Sequence, residues 1–235
     1  MNGSQGTLSE SSTENINYLF KILVIGSGGA GKTCIVKRYV HNFFNENARA
    51  TIGVDFALKV INWDSHTVVR VQLWDIAGQE SFANMTRVYY REAVGAIIVF
   101  DCTKTESFNS VLKWKDDLDN KLKLPNGKSV PAILLANKAD LLQSDADLAI
   151  TPKILSEFCE KHGFLGWFKT SAKENLNISD SIRELLEQVI VDEKELNENN
   201  DGATSGDASL IRLRDIDSPD STLNASGDKG GFCRC

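Results

Sequence analysis

One short string holds most of the chemistry this chain could do: Gly26-Ser27-Gly28-Gly29-Ala30-Gly31-Lys32-Thr33, spaced as Gly-x-x-x-x-Gly-Lys-Thr. A polyphosphate carries dense negative charge and needs several N–H donors at close range once it leaves water. Backbone amides from Ser27 to Cys34 can supply them, because glycines without a Cβ let the main chain curl tightly around oxygen atoms. The Lys32 ammonium can reach the outer phosphates, and the Thr33 hydroxyl is a hard oxygen ligand suited to Mg²⁺. The flanks agree with this reading. Phe20–Ile25 has the pattern of a buried strand, and Cys34–Val40 that of a helix whose positive N-terminal end faces the same anion. Users of adenine and guanine nucleotides share the string, so the base must be read elsewhere.

Asp75 closes the strand-like run Val71-Gln72-Leu73-Trp74, where a carboxylate can hold Mg²⁺, commonly through a water ligand. Three residues on, the amide of Gly78 can meet a terminal phosphate, and Gln79 can orient an attacking water. Gln79, Gly78 and Lys32 are the expected catalytic set. Thr51 can offer its hydroxyl to the same cation and its amide to the same phosphate. The base is read from Asn137-Lys138-Ala139-Asp140, which follows the apolar run Ile133–Ala136. Guanine presents N1–H and an exocyclic amine on one edge, and one carboxylate, Asp140, can accept both. Adenine would leave that carboxylate desolvated and unpaired, which is how strong selectivity arises. Asn137 can brace the loop and Lys138 can lay its stem over the ring. Ser171-Ala172-Lys173 can bring the Ala172 amide to guanine O6, and Phe44 can meet the base edge-on as readily as it can serve the core.

These side chains need a scaffold, and the hydrophobic pattern supplies one. Val54–Trp63 and Thr67–Trp74 read as strands joined in a hairpin, and Ala93–Phe100 as a central strand covered on both faces. A short helix is expected over Asn84–Arg91, and longer ones over Ser107–Lys123, Thr151–His162 and Asn177–Leu196. Strands at Val130–Ala136 and Trp167–Thr170 alternate with them. Alternation of this kind predicts an α/β layer fold: a six-stranded, mostly parallel sheet with one antiparallel edge strand, helices on both faces, and ligands beyond the carboxyl ends of the strands. Residues 1–17 read as a polar extension and 197–235 as a flexible tail, too poor in apolar residues to form a core.

Bulk composition narrows the function. The 235 residues are 42% hydrophobic and 25% charged, which suits one globular domain. The net charge is −6, and Val191–Cys235 alone carries 10 acidic against 5 basic residues. A nearly neutral body with an acidic tail argues against nucleic acid as a partner. No apolar run approaches the roughly 18 residues of a membrane span. Five scattered cysteines indicate reduced thiols and no disulfide framework. His41, His66 and His162 are isolated, with no metal-ligand spacing among them.

Taken in order, GSGGAGKT, Thr51, Asp75-Ile76-Ala77-Gly78-Gln79-Glu80, NKAD and SAK resemble the small Ras-like GTPases over roughly residues 18–195. Within these, Thr51-Ile52-Gly53-Val54-Asp55-Phe56, Tyr89-Tyr90-Arg91 and the terminal Cys233-Arg234-Cys235 resemble the Rab family. Ile76 and Arg49-Ala50 resemble its thirty-two and thirty-eight subgroup. The resemblance implies a G domain over 18–196, with Mg²⁺ as cofactor and GTP or GDP as ligand. It implies slow GTP hydrolysis and a monomer switched by an exchange factor and a GTPase-activating protein. It also implies effectors that read Ile52, Phe56, Trp74, Phe82 and Tyr89. Cys233 and Cys235 would carry two geranylgeranyl groups, handled by a Rab escort protein and a GDP-dissociation inhibitor. Such a protein would cycle between cytosol and the cytoplasmic face of endolysosomal, phagosomal or mitochondria-associated membranes. Ser81 departs from the arginine usual after Gln-Glu in Rabs. A nucleotide kinase would need a lid of several arginines, and the sequence has no such cluster; a GTP-binding interaction module with negligible turnover is the alternative these motifs allow.

Overall fold

The computed structural model describes residues 16–47, 49–78, 86–144 and 147–200; Gln79, Ser81, Phe82, Cys233 and Cys235 lie outside them. Six strands form one sheet: β1 (Ile16–Gly26), β2 (Val54–Asn62), β3 (Thr67–Ile76), β4 (Gly95–Asp101), β5 (Ala132–Asn137) and β6 (Trp167–Lys169). Their order is β2-β3-β1-β4-β5-β6. All pairings are parallel except that of the edge strand β2 with β3. The expected sheet is therefore present, antiparallel edge included.

Strand β4 is buried along its whole length, as is β5, which is why both read as unbroken apolar runs. Each fully buried Ile or Leu in such a strand contributes roughly 1.5–3 kcal/mol relative to exposure. On one face, α1 (Lys32–His41) and α6 (Ile178–Asn200) pack Ile35, Val36, Ile182, Leu185 and Leu186 against Ile22, Val24 and Val71. On the other, α2 (Thr86–Tyr90), α4 (Val111–Lys121) and α5 (Pro152–His162) cover Leu23, Ile25 and Ile98 with Tyr90, Leu118 and Leu155. From β1 the chain goes to the edge strand β2 and returns through β3, which lies beside β1, then crosses to β4, β5 and β6. The order thus reverses at β1, and the glycine-rich string sits at the carboxyl end of that strand.

Several expected boundaries move, each for a local reason. Strand β1 begins at Ile16, inside the stretch expected to be a polar extension. There it pairs with Thr67 and Val68, and Arg70 Nη1 donates to Asn17 Oδ1 at 2.9 Å. The helix expected over Ser107–Lys123 is two pieces, α3 (Thr105–Asn109) and α4. Between them the Ser110 hydroxyl donates to the Glu106 carbonyl at 3.1 Å, a side-chain bond that competes with the helical ladder. Helix α5 starts behind Thr151, whose Oγ1 accepts from the Ile154 amide, with Pro152 in the first turn. Helix α6 runs on to Asn200, four residues past the expected end at Leu196; Gln188 Nε2 donating to Asp192 Oδ1 ties successive turns of its second half.

Candidate functional site

Helix α1 has no side-chain cap at its N-terminus, where Gly31 stands at φ 95°. Its first amides are left for an external acceptor, which suits an anion. Lys32 is buried and donates to the carbonyls of Gly26 (2.8 Å) and Ser27 (2.9 Å). Burial pulls its ammonium down to about 8, against the opposing pull of the Asp75 charge. A buried cation whose hydrogen bonds among the described residues go to carbonyls gains when a polyanion arrives. Gly78 lies against the string: a Cβ there would stand 2.4 Å from Gly28 N and 2.5 Å from Gly26 O. Only glycine lets the two loops touch.

Three oxygen-bearing side chains meet beside Lys32. Thr33 Oγ1 lies 2.7 Å from Thr51 Oγ1, Thr33 Oγ1 donates to Asp75 Oδ2, and Thr51 Oγ1 reaches the same oxygen at 3.2 Å. Asp75 is buried, and its Oδ1 has no hydrogen-bond partner among the described residues. Burial raises its carboxyl, opposed by the Thr33 hydroxyl and the Lys32 charge. A converging set of hard oxygens, with a spare carboxylate oxygen out of water, fits a small divalent cation such as Mg²⁺. The Ala77 amide donates to the Gly53 carbonyl at 2.9 Å, so the segment carrying Thr51 and the one carrying Gly78 are also joined through the backbone.

At the other end of the same cavity, of about 430 Å³, stand Phe44, Asn137, Lys138, Asp140, Ala172 and Lys173. Asn137 is buried at the end of β5; its Nδ2 donates to the Ala30 carbonyl at 2.8 Å, and its Oδ1 accepts from Thr170 Oγ1 at 3.4 Å. Ser171 Oγ donates to Asp140 Oδ1 at 2.6 Å. Lys138 turns through φ 72°, and its Nζ lies 2.7 Å from the buried carboxylate of Asp101. Burial would raise that carboxyl, but Lys138 and the hydroxyl and amide of Thr103 together hold it below its ordinary value. Phe44 is half-buried and does both jobs weighed for it, lining the cavity and packing on the α1–α6 core.

The expected residues thus gather in one cavity, with a division of labour. Gly28, Gly29, Gly31, Lys32, Thr33, Cys34, Thr51 and Gly78 line it. Ser27 serves through its carbonyl on Lys32, Ala30 through its carbonyl on Asn137, and Ser171 through its hydroxyl on Asp140. Cys34 is half-buried, and burial pushes its thiol up. Asp101 is not among the expected residues, because it acts through a contact with Lys138 that only tertiary structure makes. Asp101 ends β4 in register with Asn137, a pairing that only the folded sheet shows.

Outside the cavity, Ile52 and Phe56 are exposed, at 89% and 65%. Phe56 stacks on the half-buried Trp74 at 6.1 Å, and Lys21 Nζ sits 3.8 Å over the Trp74 ring. Tyr89 and Trp74 pack on the α4–α5 core. Trp74 Nε1 is buried with no partner among the described residues. Gln79, Phe82, Cys233 and Cys235 lie outside the described residues, so nothing here positions them. No described helix is long and apolar enough to cross a membrane.

A glycine-rich loop at the reversal point of this sheet, an Asp-x-x-Gly turn beside it and an Asn-Lys-x-Asp turn across the cavity define a guanine-nucleotide-binding domain. The chain belongs to the Ras family, whose profile matches residues 21–191. Within that family it falls among the Rab GTPases. It is 50% identical over 220 residues to Ras-related protein Rab-32 of Mus musculus, covering 94% of each chain. It is 55% identical to Rab-32A of Dictyostelium discoideum over 74% of this chain and 78% of that one. Against Rab-7L1 of Homo sapiens it is 48% identical over 74% of this chain and 84% of the other. The chain is a small GTPase that binds GTP and GDP, and the resemblance to the thirty-two branch of the Rabs holds.

Proposed function

We propose that this GTPase is a membrane-anchored switch in vesicle and organelle traffic, with Thr51 and Gly78 as the parts that respond to the terminal phosphate. The observation that carries the reading is the convergence of Thr33, Thr51 and Asp75 oxygens next to Gly78. Thr33, Thr51 and Asp75 would hold Mg²⁺, which would supply positive charge to the outer phosphates. With a triphosphate in place, the Thr51 and Gly78 amides bind its terminal group and both loops are drawn in; with a diphosphate, that tether is gone. Lys32 and the loop amides stabilise charge developing during in-line attack, and Gln79 holds the water. Slow intrinsic turnover is expected, on the order of the 10⁻⁴ s⁻¹ known for Ras.

Asp140 and the Ala172 amide select guanine, with Asn137 and Ser171 bracing them. Ile52, Phe56, Trp74, Phe82 and Tyr89 form the effector face. An exchange factor, a GTPase-activating protein, a Rab escort protein and a GDP-dissociation inhibitor act on the cycle. Two prenyl groups on Cys233 and Cys235 supply the anchor, because one lipid chain binds only marginally and the acidic tail has no polybasic patch to add. Endolysosomal, phagosomal or mitochondria-associated membranes are the expected sites.

Chromatography of the co-purifying nucleotide, followed by single-turnover hydrolysis in the parent, Thr33→Asn and Gln79→Leu forms, tests the reading. Guanine nucleotide is expected, with poor GTP retention in the first variant and slowed turnover in the second. Equal turnover in the parent and Gln79→Leu forms would remove the water-orienting role. Unchanged membrane pelleting of the Cys233→Ser, Cys235→Ser double variant would remove the anchor.

A further inference from the structure

Arg38, in the second half of α1, reaches two separate pieces of chain. Its Nε donates to the Ala172 carbonyl at 2.7 Å and its Nη2 to the Lys173 carbonyl at 3.0 Å. Its Nη1 donates to the Asn42 carbonyl (3.1 Å) and to Asn42 Oδ1 (3.0 Å). Asn42 ends α1 at φ 50°, and its own amide returns to the Arg38 carbonyl at 2.9 Å. One guanidinium therefore fastens the Ser171–Lys173 loop to the helix that follows the phosphate loop. The same group pins the corner from which the chain departs towards Phe44, two residues on.

We propose that Arg38 is a positioning residue for the base: it sets where the Ala172 amide and the Phe44 ring stand, and so sets how long a guanine nucleotide stays bound. The proposal rests on the reading above that Ala172 faces guanine O6. The loop's ends are already closed on each other, Ser171 and Leu176 exchanging amide–carbonyl bonds at 3.2 and 2.9 Å. With the carbonyls of Ala172 and Lys173 held from outside as well, the Ala172 amide has little room to swing. A planar fork with five donors in fixed directions can serve three carbonyls and a side-chain amide oxygen at once. A lysine has one nitrogen and cannot span them. Arg38 touches neither the Thr33–Thr51–Asp75 cluster nor Gly78, so its effect belongs to the base end alone.

The test uses the full chain loaded with either GDP or the diphosphate of 2-aminopurine riboside, which keeps the amine and lacks both O6 and N1–H, so each variant is compared with the parent for the same nucleotide. Dissociation of each is timed in the parent, Arg38→Gln, Arg38→Lys and Asn42→Ala forms, beside the hydrolysis rate of bound GTP. In Arg38→Gln, GDP should leave about tenfold faster while the analogue changes far less, because only GDP has the acceptor that a displaced amide fails to meet. Arg38→Lys should behave like Arg38→Gln, and Asn42→Ala, which loses one of the four contacts, should shift the same ratio by about twofold. Hydrolysis should stay within about twofold of the parent, since nothing at the phosphate end is changed. Equal acceleration of both nucleotides, or a fall in melting temperature with unchanged GDP dissociation, would make Arg38 a structural staple and overturn the proposal. Should Arg38→Gln not fold, the Asn42→Ala ratio decides: compression supports the assignment and an unchanged ratio overturns it. A parent chain that holds ADP as tightly as GDP would sink the underlying base assignment, and this proposal with it.

Discussion

The two ends of the nucleotide cavity are built on different terms. At the base end, three bonded pairs, Asn137–Thr170, Ser171–Asp140 and Lys138–Asp101, sit at the ends of β4, β5 and β6, and Arg38 ties α1 to the adjoining Ala172. Every link is between parts of the folded chain, and Asn137, Asp101, Thr170 and Ser171 are buried. At the phosphate end, Thr51 comes from a segment whose neighbours Ala50 and Ile52 are exposed, and it meets Thr33 and Asp75 through side-chain tips. Among the described residues, Asp75 there still has a buried oxygen without a partner, and the Lys32 ammonium hydrogen-bonds only to carbonyls. One end is satisfied without its ligand and the other is left wanting it. Selection of the base therefore needs no rearrangement, while the state of the phosphates can govern position.

Substitutions at each end should break this contrast in opposite ways. The largest effect belongs to Asp140→Asn, which replaces an acceptor with a donor opposite guanine N1–H. GDP affinity should fall by on the order of 10³-fold or more in a competition assay. Next comes Gly31→Ala, because Gly31 joins the two ends. Its φ of 95° disfavours any Cβ, and that Cβ would stand 2.4 Å from Asn137 Nδ2. A left-handed non-glycine residue costs about 1–2 kcal/mol before the clash is added, so GDP and GTP should both leave at least tenfold faster by stopped-flow. Thr51→Ala should act on one end only: GTP affinity falls about tenfold relative to GDP, and GDP dissociation stays within about twofold.

The smallest effect sharpens the picture of the scaffold behind both ends. Burial pushes the Cys102 and Cys159 thiols up to about 11 and about 12, so neither forms thiolate near neutrality. Peptide mapping after brief alkylation at pH 7.5 should find both unmodified in the native chain and labelled in denaturant. Because the unfolded chain loses these protons near the ordinary value of 9.0, their contribution is complete below that pH and lost as pH rises towards 11–12. Melting temperature should therefore decline with pH in that window, and the Cys102→Ser form should decline less steeply.

What could be read from the sequence was whatever is written locally. The phosphate string, the Asp75–Gly78 turn, Asn137–Asp140 and Ser171–Lys173 each keep their meaning within a few residues of a strand end, and the apolar runs of β4 and β5 announce burial on both faces. A six-stranded, mostly parallel sheet with one antiparallel edge followed from alternation and one hairpin, while the order of its strands is seen only in the fold. Contacts between distant segments could not be read. Arg38 looks like a solvated helix residue until Ala172, 134 positions away, is brought beside it. Lys138 was expected over the base, and nothing near it in sequence reveals that Asp101 would hold its ammonium. The break at Ser110 was hidden for a different reason: the residue is tolerated in helices, and only its hydroxyl bond to Glu106 marks the interruption.

Hydrogen exchange by mass spectrometry, on the full chain loaded with GDP or with a non-hydrolysable GTP analogue, tests the contrast most directly. The account predicts that residues 49–53 and the segment around Gly78 gain protection with the triphosphate, while Asn137–Asp140, Thr170–Lys173 and α1 exchange alike in both forms. Equal protection of the Thr51 and Gly78 segments in the two states, or a change as large at the base end, would contradict it.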